Sequence, residues 1–131
     1  MMTSNMKSVV RDALTVYGLT FVFGLGSAIA GFNMQSSPST AYMTNLLSGA
    51  AGFAMACIRI PTNRVEHVAW VAVTFWTFNL TNIALEIQTY PAWIHSGVTI
   101  VLMAILGGAL AWILSPQSKS TRPYGSPAQT E

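Results

Sequence analysis

The sequence predicts an all-α, polytopic membrane protein with four transmembrane helices in a compact bundle. Of its 131 residues, 52% are hydrophobic and only 8% are charged, whereas roughly 25% of residues are charged in a soluble domain. A membrane span needs about 20 mainly apolar residues. Four stretches reach or approach that length, and we predict the spans at 13–32, 41–58, 68–85 and 92–114.

The basic residues predict how the chain is oriented. They fall before the first stretch, between the second and third, and after the fourth: Lys7, Arg11, Arg59, Arg64, Lys119 and Arg122. Connections rich in Lys and Arg stay cytoplasmic. We therefore expect both termini in the cytoplasm, with residues 1–12 as an N-terminal segment and 115–131 as a disordered tail. The expected location is the inner membrane of a bacterial cell. Because these charges are dispersed, they do not predict a nucleic-acid partner.

The first apolar stretch also has an alternative interpretation as a secretory signal. Lys7 and Arg11 precede it, and Ala28-Ile29-Ala30 imitates an Ala-x-Ala cleavage site. Its apolar part is longer than the usual 7–15 residues of a signal sequence. This length favours a retained first span over a cleaved one.

Small residues recur at helical spacing in three of the predicted spans. Small side chains let helix backbones approach closely in lipid. We expect these residues to pack helices within the bundle or between subunits: Gly24, Ala28, Ser48, Gly52, Ala56, Ala104 and Gly108. The expected partners are the bilayer and either further copies of the chain or other membrane protein subunits.

The third span is unusually polar and provides the candidate functional face. At 100° per residue, Asn79, Asn82 and Glu86 share one side of a continuous helix. Intramembrane ionisable residues often mark a path for an ion or a polar solute, and His95 could act as a titrating partner of Glu86. We favour a second interpretation, in which this face joins helices through hydrogen bonds and Glu86 is solvated near the outer surface.

The sequence contains no recognisable catalytic motif and predicts no cofactor or metal site. His67 follows Glu66 at the start of the third span, and we expect it to be a solvated end residue. Cys57 is expected to be a buried apolar residue. The predicted function is that of a non-enzymatic accessory or interaction subunit of a membrane assembly. The alternative is a small oligomeric channel or transporter, and an enzyme ranks third.

Overall fold

The protein is all-α in the part of the chain that the structure describes, which confirms the all-α part of the predicted fold class. The computed structural model describes residues 5–116, and 81% of these are helical, with no strand among them. The helices are α1 Met6–Ile29, α2 Pro38–Arg59, α3 Arg64–Phe78, α4 Leu80–Ala84 and α5 Tyr90–Leu114. The predicted tail, apart from Ser115 and Pro116, lies outside the described residues.

Three of these helices are long and apolar enough to cross a membrane. They are α1, α2 and α5, with 24, 22 and 25 residues. The segment predicted as the third span, 68–85, is instead divided between α3, which has 15 residues, and α4, which has five. The structure therefore supports a multi-pass membrane protein, and the expectation of one continuous third span is wrong.

The third segment is interrupted at Asn79, whose side chain bonds back to the preceding helix. Its Nδ2 donates to the carbonyl of Phe75 at 3.1 Å, and its backbone N–H donates to the same oxygen at 3.2 Å. Such local side-chain bonds compete with the regular helical pattern. The next turn is tighter, because the N–H of Asn82 donates to the carbonyl of Asn79 three residues earlier, at 3.1 Å. α3 therefore ends where the polar sequence begins.

Two helices end in the same type of turn, with a residue in the left-handed region just beyond the helix. After α1 this residue is Gly31, at φ 89°, and after α4 it is Glu86, at φ 58°. In both turns the next residue's N–H bonds back five positions, from Phe32 to Ser27 and from Ile87 to Asn82. This is the Schellman geometry, for which glycine is the usual residue. Glu86 adopts it at a conformational cost that glycine avoids.

The helices form a bundle in which α2 and α3 lie in the centre. α2 and α3 contact each other and both contact α1 and α5, whereas α1 and α5 do not meet within residues 5–116. The core contains Val16, Phe53, Val71, Phe75 and Met103, all at most 4% exposed. The bundle has a basic end, defined by the start of α1, the α2–α3 connection and the end of α5. The opposite end is called the far end.

Glycines permit the closest approach in the bundle, between α2 and α5. A Cβ at Gly107 would lie 2.5 Å from the carbonyl oxygen of Ala50 and 2.6 Å from Cβ of Phe53. A Cβ at Gly49 would overlap the side chain of Met103 on the opposite helix. No larger residue fits at Gly107 without moving the backbone of α2, so this glycine sets the distance between the two helices.

Candidate functional site

A buried charged cluster lies at the basic end and joins three helices. It consists of Asp12 on α1 and the basic side chains of Arg11, Arg59 and His67. Oδ1 of Asp12 accepts from Nε of Arg11 at 3.0 Å and from Nη1 of Arg59 at 3.1 Å. Oδ2 lies 2.9 Å from Nε2 of His67. Both carboxylate oxygens are therefore engaged by side chains from α1, α2 and α3.

Helical spacing explains why these side chains meet. Asp12 belongs to the face of α1 that also buries Val9 and Val16, so its side chain points into the bundle. His67 begins the face of α3 that continues, one turn at a time, through Val71 and Phe75. Arg59 is the last residue of α2 and reaches across to α1. One side chain from each helix thus converges on a single carboxylate.

Burial divides the cluster into an inner pair and two outer arginines. The side chains of Asp12 and His67 are 0% and 1% exposed, while those of Arg11 and Arg59 are 58% and 41% exposed. A buried carboxylate is costly unless it is hydrogen-bonded and paired. The three donors offset that cost, and the half-exposed arginines keep their remaining N–H groups in contact with solvent.

Arg64 makes a second polar connection at the same end. Its Nη1 donates to the carbonyl of Ser115 at 2.6 Å and its Nε donates to the carbonyl of Ile60 at 3.0 Å. Ser115 caps α5, where helix carbonyls lack intrahelical partners and the helix dipole favours a cation. Arg64 therefore fixes the end of α5 to the start of α3, and the basic ends of all four long segments are held together.

The residues of the predicted polar face are only partly brought together. Asn82 donates from Nδ2 to Oδ1 of Asn79 at 3.0 Å and accepts at 3.4 Å from the hydroxyl of Tyr17 on α1. Glu86 is exposed in the turn after α4, so the break at Asn79 removes it from the common face. His95 is also exposed, with Nδ1 at 3.0 Å from the carbonyl of Pro91. No hydrogen bond or ion pair joins Glu86 and His95 in the described part of the chain.

An apolar layer separates the two polar groups inside the bundle. Between the charged cluster and the Tyr17–Asn82–Asn79 chain lie Val16, Val71 and Phe75, which are 0%, 0% and 4% exposed. The ring of Phe75 packs edge-on against Tyr17, with the centroids 6.2 Å apart. A single bundle therefore presents no continuous polar path from one group to the other.

The residues predicted to pack helices together differ in burial from one helix to the next. Ser48, Gly52 and Ala56 on α2 are buried, and a Cβ at Gly52 would lie 3.0 Å from Cα of Val16. Gly24 and Ala28 on α1 are exposed, and no atom of another helix in residues 5–116 lies within 4 Å of a Cβ built on Gly24. On α5, Ala104 and Gly108 are half-buried and Gly108 has no atom within 4 Å of a built Cβ, whereas the neighbouring Gly107 makes the close contact.

Two tryptophans connect α3 to α5 towards the far end. The indole rings of Trp76 and Trp93 are stacked, with centroids 4.3 Å apart and planes at 4°. Each indole N–H donates to the other residue's carbonyl, at 3.1 Å from Trp76 and 3.2 Å from Trp93. A ring nitrogen that must be buried in a bundle needs such a partner. This reciprocal arrangement supplies both partners at once.

Sequence reasoning missed the central pair of the charged cluster. His67 was expected to be solvated, but it is 1% exposed and bonded to Asp12. The available signal was the position of Asp12, which shares a helical face with Val9 and Val16 and is followed by no charged residue until Arg59. The partner on α3 could not be inferred from spacing, because the pairing is made across helices. Cys57 is buried, as its apolar surroundings require.

The described residues contain no group of three or more His, Cys, Asp or Glu side chains that could hold a metal. At the charged cluster both carboxylate oxygens are occupied by basic side chains, an arrangement that favours structure over metal binding. Comparison with protein-family models, with curated proteins and with solved structures returns no match. The fold is compatible with a helical, multi-pass membrane protein, and a buried ionic cluster joins three of its helices.

Proposed function

We propose that this protein is a non-enzymatic subunit of a membrane assembly, which associates with copies of itself or with other membrane proteins. The observation that supports this function is the surface of α1 towards the far end. All residues from Phe21 to Ile29 except Ser27 are exposed, and nothing lies within 4 Å of a Cβ built on Gly24 or Gly26. This stretch extends beyond the part of α1 that the bundle buries.

We interpret this surface of α1 by comparing its glycines with the glycines that lie against another helix of the bundle. Gly49, Gly52 and Gly107 each lie against a neighbouring helix. Gly24 and Gly26 also lie on an apolar helix but have no such neighbour among the residues that the structure describes. Because small residues in membrane helices mark close helix–helix contacts, we infer that a helix of another subunit packs against the exposed half of α1.

The proposal includes a location and an orientation. We place α1, α2, α5 and the divided α3–α4 segment in the bacterial inner membrane as four spans, with both termini cytoplasmic. Arg11, Arg59 and Arg64 all lie at the basic end, where Arg64 contacts Ser115 near the end of the described residues, and a concentration of basic residues favours the cytoplasmic side.

The enclosure of the charged cluster supports the proposed non-enzymatic role. Asp12 and His67 form the buried acid–base pair of the bundle, yet they are 0% and 1% exposed and Asp12 is engaged by three basic side chains. A general base must reach the proton that it removes. The enclosed geometry of this pair supports a structural role.

An oligomeric channel or transporter is the second candidate. It is favoured by the half-buried hydrogen-bonded chain of Tyr17, Asn82 and Asn79 beside a break in the third segment. The apolar layer at Val16, Val71 and Phe75 interrupts a path through one bundle, so transport would require a path between several copies.

The test compares two substitutions at exposed positions, Gly24→Leu on α1 and Ala109→Leu on α5. Protein purified in mild detergent is measured for particle mass and for the stoichiometry of co-purifying membrane proteins. We expect Gly24→Leu to dissociate the assembly without lowering the thermal stability of the chain, and Ala109→Leu to leave the assembly intact. Unchanged mass and composition with Gly24→Leu would show that this face of α1 contacts lipid.

A further inference from the structure

The charged cluster leaves positive charge uncompensated on the outside of the bundle. Arg11 and Arg59 both donate to the same oxygen of Asp12, so one carboxylate is shared by two guanidinium groups and by His67. Glu66, at the same end, forms no ion pair with either arginine within residues 5–116. The arginine pair therefore carries an excess of one positive charge.

The arginines also retain unused donors that face outwards. Each guanidinium has five N–H groups in a fork that matches the oxygens of a phosphate. Their side chains are 58% and 41% exposed, and the bond to Asp12 fixes the orientation of both. Lys7 lies one helical turn before Arg11, on the same side of α1, and adds a further positive charge.

The surface next to these charges is apolar. A shallow depression on α1 is lined by Met6, Lys7, Val10, Arg11, Leu14 and Thr15. Met6, Val10 and Leu14 are 51%, 36% and 54% exposed. The basic groups lie at the end of the bundle and Leu14 lies deeper along the helix. Lys7 and Arg11 alternate with Met6 and Val10 along this face, so the face offers cationic groups to a phospholipid headgroup and, at Val10 and Leu14, an apolar surface to its acyl chains.

We propose that Lys7, Arg11 and Arg59 bind the phosphate of an anionic phospholipid whose acyl chains lie along Val10 and Leu14. The charge excess selects an anionic headgroup, and the apolar depression selects a lipid over a soluble phosphate. Asp12 is a positioning residue in this site, because it orients both guanidinium groups without contacting the lipid. This inference requires a membrane location but does not depend on the association proposed above.

The experiment measures lipid binding to the full chain in detergent by native mass spectrometry. The probes are phosphatidylglycerol, phosphatidylcholine with the same acyl chains, and inorganic phosphate as a competitor. The variants are Lys7→Gln and Arg11→Gln, and Lys119→Gln is the control because it removes the same charge from the C-terminal segment. The Lys7 side chain makes no hydrogen bond or ion pair in the described part of the chain, so Lys7→Gln tests binding without disturbing the fold.

We expect phosphatidylglycerol to bind more tightly than phosphatidylcholine. Lys7→Gln should weaken phosphatidylglycerol binding about fivefold, the effect of removing one basic residue at a membrane surface. Arg11→Gln should weaken it at least as much, while Lys119→Gln should leave it unchanged. Equal binding of the two lipids, or an equal loss with Lys119→Gln and Lys7→Gln, would overturn the proposal. Displacement of phosphatidylglycerol by an equimolar concentration of inorganic phosphate would assign the site to a soluble anion and also overturn it.

Discussion

Replacing Asp12 with asparagine would remove the single anion to which basic side chains of three helices are bonded. The substitution keeps the size of the side chain and one acceptor oxygen, and it removes the negative charge. Arg11, Arg59 and His67 would then surround a neutral amide. The change in the free energy of unfolding therefore measures what the negative charge of Asp12 contributes to the stability of the bundle.

The magnitude of the effect follows from the burial of each partner. Arg11 and Arg59 are half-exposed, so water can solvate them when the carboxylate is lost, and exposed ion pairs contribute little. His67 is 1% exposed and has no comparable access to water. A buried hydrogen bond to a charged group is worth about 1.5–3 kcal/mol. We expect Asp12→Asn to lower the free energy of unfolding by about 1.5–3 kcal/mol.

Equilibrium unfolding in mixed micelles of a mild detergent and dodecyl sulfate would measure this change. Helix content by circular dichroism and tryptophan fluorescence give two independent readings of the same transition. Glu86→Gln is the matched control, because it makes the same acid-to-amide change at an exposed carboxylate without these partners. We expect Glu86→Gln to leave the midpoint of the unfolding transition unchanged. We also expect cells that carry this variant to keep the wild-type phenotype.

A result of equal midpoints for Asp12→Asn and the wild type would refute the reasoning. It would mean that His67 finds another acceptor or that water enters the basic end. If Glu86→Gln instead abolished a phenotype while the protein stayed folded, Glu86 would belong to a transport site, and the structural interpretation of the far end would be wrong.

Three further predictions follow from the glycines, the strained turn and the proposed orientation. Gly107→Ala should destabilise the bundle by about 1–3 kcal/mol, because its Cβ meets the backbone of α2, while Gly108→Ala should be neutral or slightly stabilising in the same unfolding assay. Glu86→Gly should raise the free energy of unfolding by about 0.5–1 kcal/mol, since glycine adopts φ 58° without strain; a decrease would show that the glutamate side chain is needed. In a cysteine-free background, a cysteine at Ser37 should react with an impermeant reagent from outside the cell and one at Ser120 should not, and the reverse pattern would contradict the orientation.

The helical fold could be predicted because composition and apolar length decide it. Three of the four predicted spans lie largely within α1, α2 and α5, and their limits differ from those helices by a few residues at most positions. α1 begins at Met6, earlier than the predicted start at 13, because Asn5 caps it by accepting the backbone N–H of Lys7 at 3.1 Å. The length of an apolar stretch predicts which part of a helix can lie in a membrane. It does not predict the residue at which the helix is capped.

The divided third segment and the charged cluster were beyond sequence reasoning for different physical reasons. Helical periodicity places Asn79, Asn82 and Glu86 on one face by assuming a continuous helix, whereas the segment is divided at Asn79. The meeting of Asp12 and His67 depends on how α1 and α3 pack, which local spacing does not encode. The same limit applies to α5. Its stripe of small residues predicts that Gly108 packs against another helix, whereas Gly107 makes the close contact with α2.

The short α3 has a consequence for how the chain is made. At 15 residues, with Arg64 and Glu66 in its first turn, it is a weak substrate for direct partition from the translocon into lipid. Two of the contacts that hold α3 in the bundle are made with helices that are synthesised at different times. Asp12 lies on α1, which is made before α3, and Trp93 lies on α5, which is made after it. Under the membrane placement proposed above, stable insertion of α3 would therefore be completed only after α5 has been made.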